Sequence, residues 1–172
     1  MELTKQERLL LFNQYEILKL LSGDDEYAKK QYEVEQDIVF NGYKRDYEML
    51  VEHFSEDVPD TVTETVWDVL EMYRAINNSY TVLKDEQKTG IEVDKLEFRG
   101  FDGNDESEYY CYCLFVLEKL ERYGEFTESG RRDLNTHWPI LGRYERMLEK
   151  WKSFGDRYGE LSRDQILEII NA

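Results

Sequence analysis

The stretch from about Asp60 to Glu86 constrains this chain more than any other. Val62, Val66, Val69, Tyr73, Ile76, Tyr80 and Leu83 follow one another at alternating spacings of four and three. That repeat lets a helix pack along a neighbour at a shallow angle. Trp67, Leu70 and Met72 widen the apolar surface beyond a strict seam, so the spacing predicts a central helix contacted from several directions. A coiled-coil dimer could use the same seam, but the extra apolar face suits a globular core better. Thr61-Val62-Thr63-Glu64 has the form of a capping box, and Val58-Pro59 breaks the chain just before it.

Six more helical segments carry their own start and stop chemistry. Thr4-Lys5-Gln6-Glu7 is a capping box opening a helix whose face is Leu11, Tyr15, Leu18 and Leu21, stopped at Gly23. Asp24 or Asp25 caps a second helix with Tyr27, Gln31, Val34 and Ile38 on one side, ended by Asn41-Gly42. Tyr43, Tyr47, Leu50 and Phe54 suggest a short third. Beyond the central helix, Leu96-Glu97-Phe98 alternates like a minimal strand. The turn residues Gly100 to Asp105 lead into a helix running to about Tyr123, with Tyr109, Tyr110, Cys113, Leu117 and Leu120 on its face. After a linker from Gly124 to Pro139 come Leu141, Tyr144, Leu148 and Trp151, then Ser162-Arg163-Asp164-Gln165 opening a last helix of dense Ile and Leu. The expected fold class is all-α: one multihelical domain over residues 1–172 with a long central helix, lobes at 1–95 and 96–172, and at most a minimal strand near 96–98.

Charge then narrows the functional classes. The net charge is −16 at pH 7 over 172 residues. Such a surface repels nucleic acid and anionic membranes, while 41% hydrophobic residues argue against disorder. The longest uninterrupted apolar run, Tyr109 to Leu117, is too short for a membrane span, and Met1 to Lys5 lacks the order of a signal peptide. With only two cysteines, a disulfide scaffold is excluded and a cytoplasmic setting is expected. Residues 131–157 invert the sign, with Arg131, Arg132, Arg143, Arg146, Lys150, Lys152 and Arg157 against four acids. This island reads as an ion-paired helix face, with Glu149 between Arg146 and Lys152, as a site for an anion, or as a surface meeting the acidic half of a second copy.

Motifs for chemistry are sparse. His53 and His137 each have a carboxylate four residues away (Asp57 and Asp133) but no second His or Cys nearby, so no metal site is expected. An EF-hand reading from Asp102 fails at the required Gly and Glu, where Ser107 and Cys113 stand. Asp102, Asn104 or Asp105 are better read as caps of the next helix. Cys111 and Cys113 point about 200° apart on a helix, so they neither bond nor share a metal; Cys113 is read as a small buried hydrophobe. The one ligand-binding candidate is Arg131, Arg132, His137 and Trp138, cations beside a titratable group and an aromatic, which together could clamp and stack on a phosphate or nucleotide. The alternative for this segment is a surface loop pinned to the core by Trp138. No cofactor is called for.

Several segments together are similar to the YfbU family of bacterial proteins. They are Leu3-Thr4, Arg8-Leu9 and Asn13-Gln14-Tyr15 at the start, then Asp68 to Ala75 in the central helix and Phe98-Arg99-Gly100-Phe101-Asp102. Tyr144 to Leu148 and the closing Leu161-Ser162 and Ile169 to Ala172 complete the set. The resemblance covers the whole chain. It implies a cytoplasmic, multihelical, oligomeric protein, but supplies no catalytic residue.

The leading functional reading is therefore a non-enzymatic helical interaction protein that self-associates and docks on a protein partner, since Tyr and Trp are enriched at interface cores. Tyr73, Tyr80, Arg143 and Arg146 are its interface candidates. A phosphate- or nucleotide-binding protein or enzyme using residues 131–138 is the alternative, and mimicry of nucleic acid by the acidic face is a third.

Overall fold

Helix caps and stops divide the chain much as the sequence suggests. The computed structural model describes residues 1–127, 133–155 and 159–172. The architecture is all-α, and among the described residues the only ladder is one isolated parallel bridge between Phe101 and Asn135. No helix among them is long and apolar enough to cross a membrane. The chain forms two compact units, Met1–Asp57 and Val58–Ala172.

In the first unit, α1 (Lys5–Leu21) and α2 (Glu26–Asn41) form a hairpin, followed by a 3-10 turn over Lys44–Leu50. The capping box at Thr4 is formed: the Glu7 amide donates to Thr4 Oγ1, and the Thr4 amide donates to Glu7 Oε2. Asp25 caps α2 by accepting from the Ala28 amide, and Gly42 ends it at φ +73°. Much of what joins the two helices is polar. Arg8 donates to the carbonyls of Val39 and Phe40, both at 2.5 Å, taking up free carbonyls at the end of α2. Buried Gln36 donates to the Phe12 carbonyl and to Glu16, and accepts from Lys19. Because these ties set the helix rotation, the expected α1 face is only half used: Tyr15 is buried, whereas Leu18 and Leu21 are exposed. The expected third helix is the 3-10 turn, with Tyr47 inside and Phe54 outside.

The second unit is built round α3 (Asp60–Val82), against which α5 (Ser107–Leu114), α6 (Leu141–Ser153) and α7 (Arg163–Ile170) pack. Val62, Val66, Val69, Tyr73 and Ile76 are buried, as are Leu70 and Met72 on the added face. The heptad seam is thus consumed inside the unit and is not a coiled-coil surface. The capping box expected at Thr61 does not form. The helix starts earlier, at Asp60 after Pro59, so Thr63 and Thr65 turn their hydroxyls back to the carbonyls of Asp60 and Thr61. A separate turn, α4 (Asp85–Lys88), follows an extended Leu83.

Leu96 and Phe98 are buried as alternation suggests, yet no strand forms at 96–98. Asn77 Nδ2 donates to the Leu96 carbonyl at 3.1 Å, where a sheet would have supplied backbone. Both side chains share the core of Val66 to Ile76, which is why the division between compact units falls at 57/58 and not at 95/96. The helix expected to reach Tyr123 stops early. A π-turn over Phe115–Lys119 follows α5, and Glu121 and Tyr123 then adopt left-handed φ of +50° and +55°.

Four rings make the centre. Tyr144 lies 5.7 Å from Tyr73, 6.0 Å from Phe98 and 5.4 Å from Phe101, and its hydroxyl donates to the Gly100 carbonyl at 3.0 Å. Burial pushes the Tyr73 phenol up to about 12 and Tyr144 well above its ordinary value. Both folded values lie above the unfolded value near 10, so the native state keeps protons that the unfolded chain releases. Their contribution is complete below pH ~10 and is lost as pH rises through the folded values, at about 1.4 kcal/mol per pH unit for each phenol. The urea midpoint should therefore hold to about pH 9.5 and fall steeply by pH 11, and Tyr73→Phe should make that fall shallower.

Candidate functional site

The segment after residue 132 is clasped to the loop before α5. Gly100 has φ +86°, and a Cβ there would stand 1.7 Å from the Leu134 carbonyl oxygen, so only glycine allows the approach. Phe101 then donates to the Leu134 carbonyl and accepts from the Thr136 amide, both at 3.1 Å. Asn135 Oδ1 accepts from the amides of Gly103 and His137, at 3.0 and 2.9 Å. Asp102 does not cap α5; its Oδ1 accepts from the Asn104 amide in a tight local turn.

The clasp is completed by Glu106, whose tie to the start of α6 is not shown by sequence spacing. Its side chain is buried; Oε1 accepts from the amides of Ile140 and Leu141, at 2.7 and 2.6 Å, and Oε2 from the Asp102 amide at 3.0 Å. Glu106 thus serves as a distant cap for α6, satisfying amides that have no carbonyl partner at a helix start. A signal did exist: α6 begins after Pro139-Ile140 without a Ser, Thr, Asp or Asn at its own start, so its amides needed an acceptor from elsewhere.

This scaffold holds two of the four ligand-binding candidates. His137 takes φ +57° and its Nε2 lies 3.4 Å from Asp133 Oδ2. Trp138 is 53% exposed, which corrects the expectation that it pins the loop to the core; the pinning is done by Gly100, Asn135 and Glu106. Arg131 and Arg132 lie outside the described residues. Elsewhere, His53 approaches Glu52, at 3.6 Å, in place of the Asp57 expected from spacing.

A second polar cluster sits on α3. Tyr123, turned inward by its left-handed backbone, donates to Glu71 Oε1 at 2.5 Å and packs edge-on against Trp67. The Arg74 guanidinium lies 4.0 Å over the Tyr123 ring and donates twice to Glu125, at 2.6 and 3.1 Å. Burial and the neighbouring Glu71 raise the Tyr123 phenol, while the hydrogen bond from Arg74 holds Glu125 below the usual carboxyl range. Each charge here has a partner, so the cluster fastens the chain after the π-turn to α3. An open groove of about 500 Å³ runs beside it, with Asn77, Tyr80, Asp94 and Phe98 in its walls.

Of the interface candidates, Tyr73 is in the centre of the core and is not a surface residue. Tyr80 is half-buried beneath Lys88, Arg143 is half-buried with a 3.4 Å bond to the Ile170 carbonyl, and Arg146 folds back onto the Gly142 carbonyl. The basic island pairs across helices: Lys152 meets Asp68 of α3 and Lys150 meets Glu168 of α7, in place of the expected pairing through Glu149. Cys113 is buried and its thiol is pushed up to about 12, while Cys111 is exposed. Among the described residues, no three or more His, Cys, Asp or Glu side chains are grouped to hold a metal ion.

The profile of the YfbU domain matches residues 1–172. UPF0304 protein MJECS11 of Methanocaldococcus jannaschii is 31% identical over 172 residues, covering 99% of each chain.

Replacing Glu106 with Ala should unfold the protein at markedly lower temperature. Three hydrogen bonds to one buried carboxyl group are lost, for about 2–4 kcal/mol, or roughly 5–15 °C in a domain of this size. Glu106→Gln, which keeps one acceptor oxygen, should fall between. A thermal melt monitored by circular dichroism decides it, and an unchanged Ala variant would refute the capping role.

Proposed function

The chain belongs to the YfbU family, and we propose that it works as a self-associating helical interaction protein whose first unit is the docking element. One observation carries the reading. Thirteen of the nineteen large hydrophobic side chains exposed among the described residues lie in residues 1–57, against four of the thirty buried ones. A unit of this size buries only about 60% of the surface its chain exposes when unfolded. It is therefore marginal alone and gains most from a partner that covers apolar surface. Exposed apolar patches beyond a few hundred Å² mark such interaction sites.

Because each copy carries a charge of −16, copies repel at long range and attraction between them rests on apolar contact, which salt does not screen. Light scattering at high micromolar concentration should give one discrete oligomer that persists, or tightens, in 1 M NaCl. A monomer under both conditions would overturn the reading.

The exposure of Trp138 beside a hydrogen-bonded clasp favours a second reading, in which residues 131–138 receive a phosphate-bearing ligand by stacking and charge. A nucleotide should then raise the melting temperature, and the rise should vanish in Trp138→Ala. Absence of any shift across the common nucleotides would eliminate it.

A further inference from the structure

The outward side of α1 carries a repeat that the hairpin does not use. Gln6, Leu10, Asn13, Ile17 and Leu20 follow at spacings of four, three, four and three, and all five are exposed. Leu10 is 64% exposed, Ile17 51% and Leu20 76%. Leu9, Gln14 and Leu21 flank them, so this stripe holds no charged residue in a unit with fourteen acids. Beside it lies a pocket of about 290 Å³ between α1 and α2, walled by Leu9, Phe12, Asn13 and Phe40 and also by Lys5 and Arg8. An uncharged stripe at heptad spacing is what pairing of two helices along a seam requires.

Asn13 identifies the occupant. It lies at the centre of the stripe, and a plain aliphatic helix laid there would bury its amide unpaired, at a cost. A second Asn13 supplies both a donor and an acceptor to the first. A single polar Asn inside an apolar seam fixes the register of a helix pair in this way.

Charge selects the orientation. In a parallel pair the Glu7 side chains of the two copies stand at one level, as do the two Glu16 side chains, each 3.5 Å from Lys19 of its own chain. In an antiparallel pair centred on Asn13, the axial separation becomes about 18 Å for Glu7 and about 9 Å for Glu16 at 1.5 Å rise per residue. Leu10 then lies within one residue's rise, about 1.5 Å, of the level of Ile17 of the other copy, and the helix dipoles oppose.

We propose that α1 pairs antiparallel with α1 of a second copy along this stripe, with Asn13 against Asn13. The proposal rests on the self-association reading and names its surface. Leu10→Asp with Ile17→Asp should convert the oligomer to monomer in light scattering, with the helical circular dichroism retained because both positions are solvent-facing. In a Cys111→Ser background, mixing Leu10→Cys and Ile17→Cys chains under oxidation should give the mixed disulfide in preference to either homodimer. An oligomer indifferent to the two aspartates would overturn this pairing while leaving self-association standing, and homodimeric cross-links at each position would overturn it in favour of a parallel seam. A monomeric wild type would remove both.

Discussion

Enclosure of α3 is the constraint on which the second unit depends. A helix buried along Val62, Val66, Val69, Tyr73 and Ile76, and again at Leu70 and Met72, must be contacted on more than one side, and α5, α6 and α7 provide those contacts. Once those helices are in place, the intervening chain must turn sharply and satisfy its backbone without a sheet. Side chains do that work: Asn77 for Leu96, Ser79 for the Leu161 amide, Glu106 for the start of α6. Each sits on or beside a helix that is already fixed by apolar burial, so the polar bonds specify positions that the core has made available. Their geometry matters because a buried amide left unpaired costs more than a made hydrogen bond returns.

The first unit follows a different logic. Its hairpin is held by Arg8 on the end of α2 and by Gln36 between Phe12, Glu16 and Lys19, with few apolar side chains inside. Such bonds are directional and set helix rotation well, but they release little hydrophobic free energy. The rotation they impose turns Leu10, Ile17, Leu20 and Leu21 outward. Rigid presentation and unspent apolar surface therefore have one cause.

What could be read from residues alone follows from whether the determining contact is local. The boxes at Thr4 and Ser162, the Asp25 cap and the Gly42 stop need only neighbours in sequence, and all four are present. The α3 seam was legible because burial keeps its repeat positions from Val62 to Ile76 apolar. The misreadings share the opposite property. Tyr123 leaves the helical region with no glycine or proline at its position, because its ring belongs between Trp67 and Phe126 and its hydroxyl on Glu71. Glu106 gains its role only where Ile140, 34 residues away, meets it. On α1 the sequence offers two overlapping apolar faces of similar strength, and only the polar ties to α2 decide which one points inward. Of the candidate ligand site, the residue types were legible and the clasp was not, since Gly100 against Leu134 is a contact across a loop.

A strongly acidic chain that self-associates through apolar surface, as proposed, would face opposed requirements, and the placement of charge would resolve them. Repulsion between two copies acts over about a Debye length, near 8 Å at physiological ionic strength, whereas apolar contact acts only at touching distance. Acids spread over the surface therefore discourage random encounters, and those beside the stripe, Glu7 and Glu16, bear on how two copies would meet. The uncharged outward face of α1 is where that repulsion costs least and where exposed aliphatic area is concentrated. On such a molecule, specificity comes as much from the charge that surrounds the stripe as from the side chains within it.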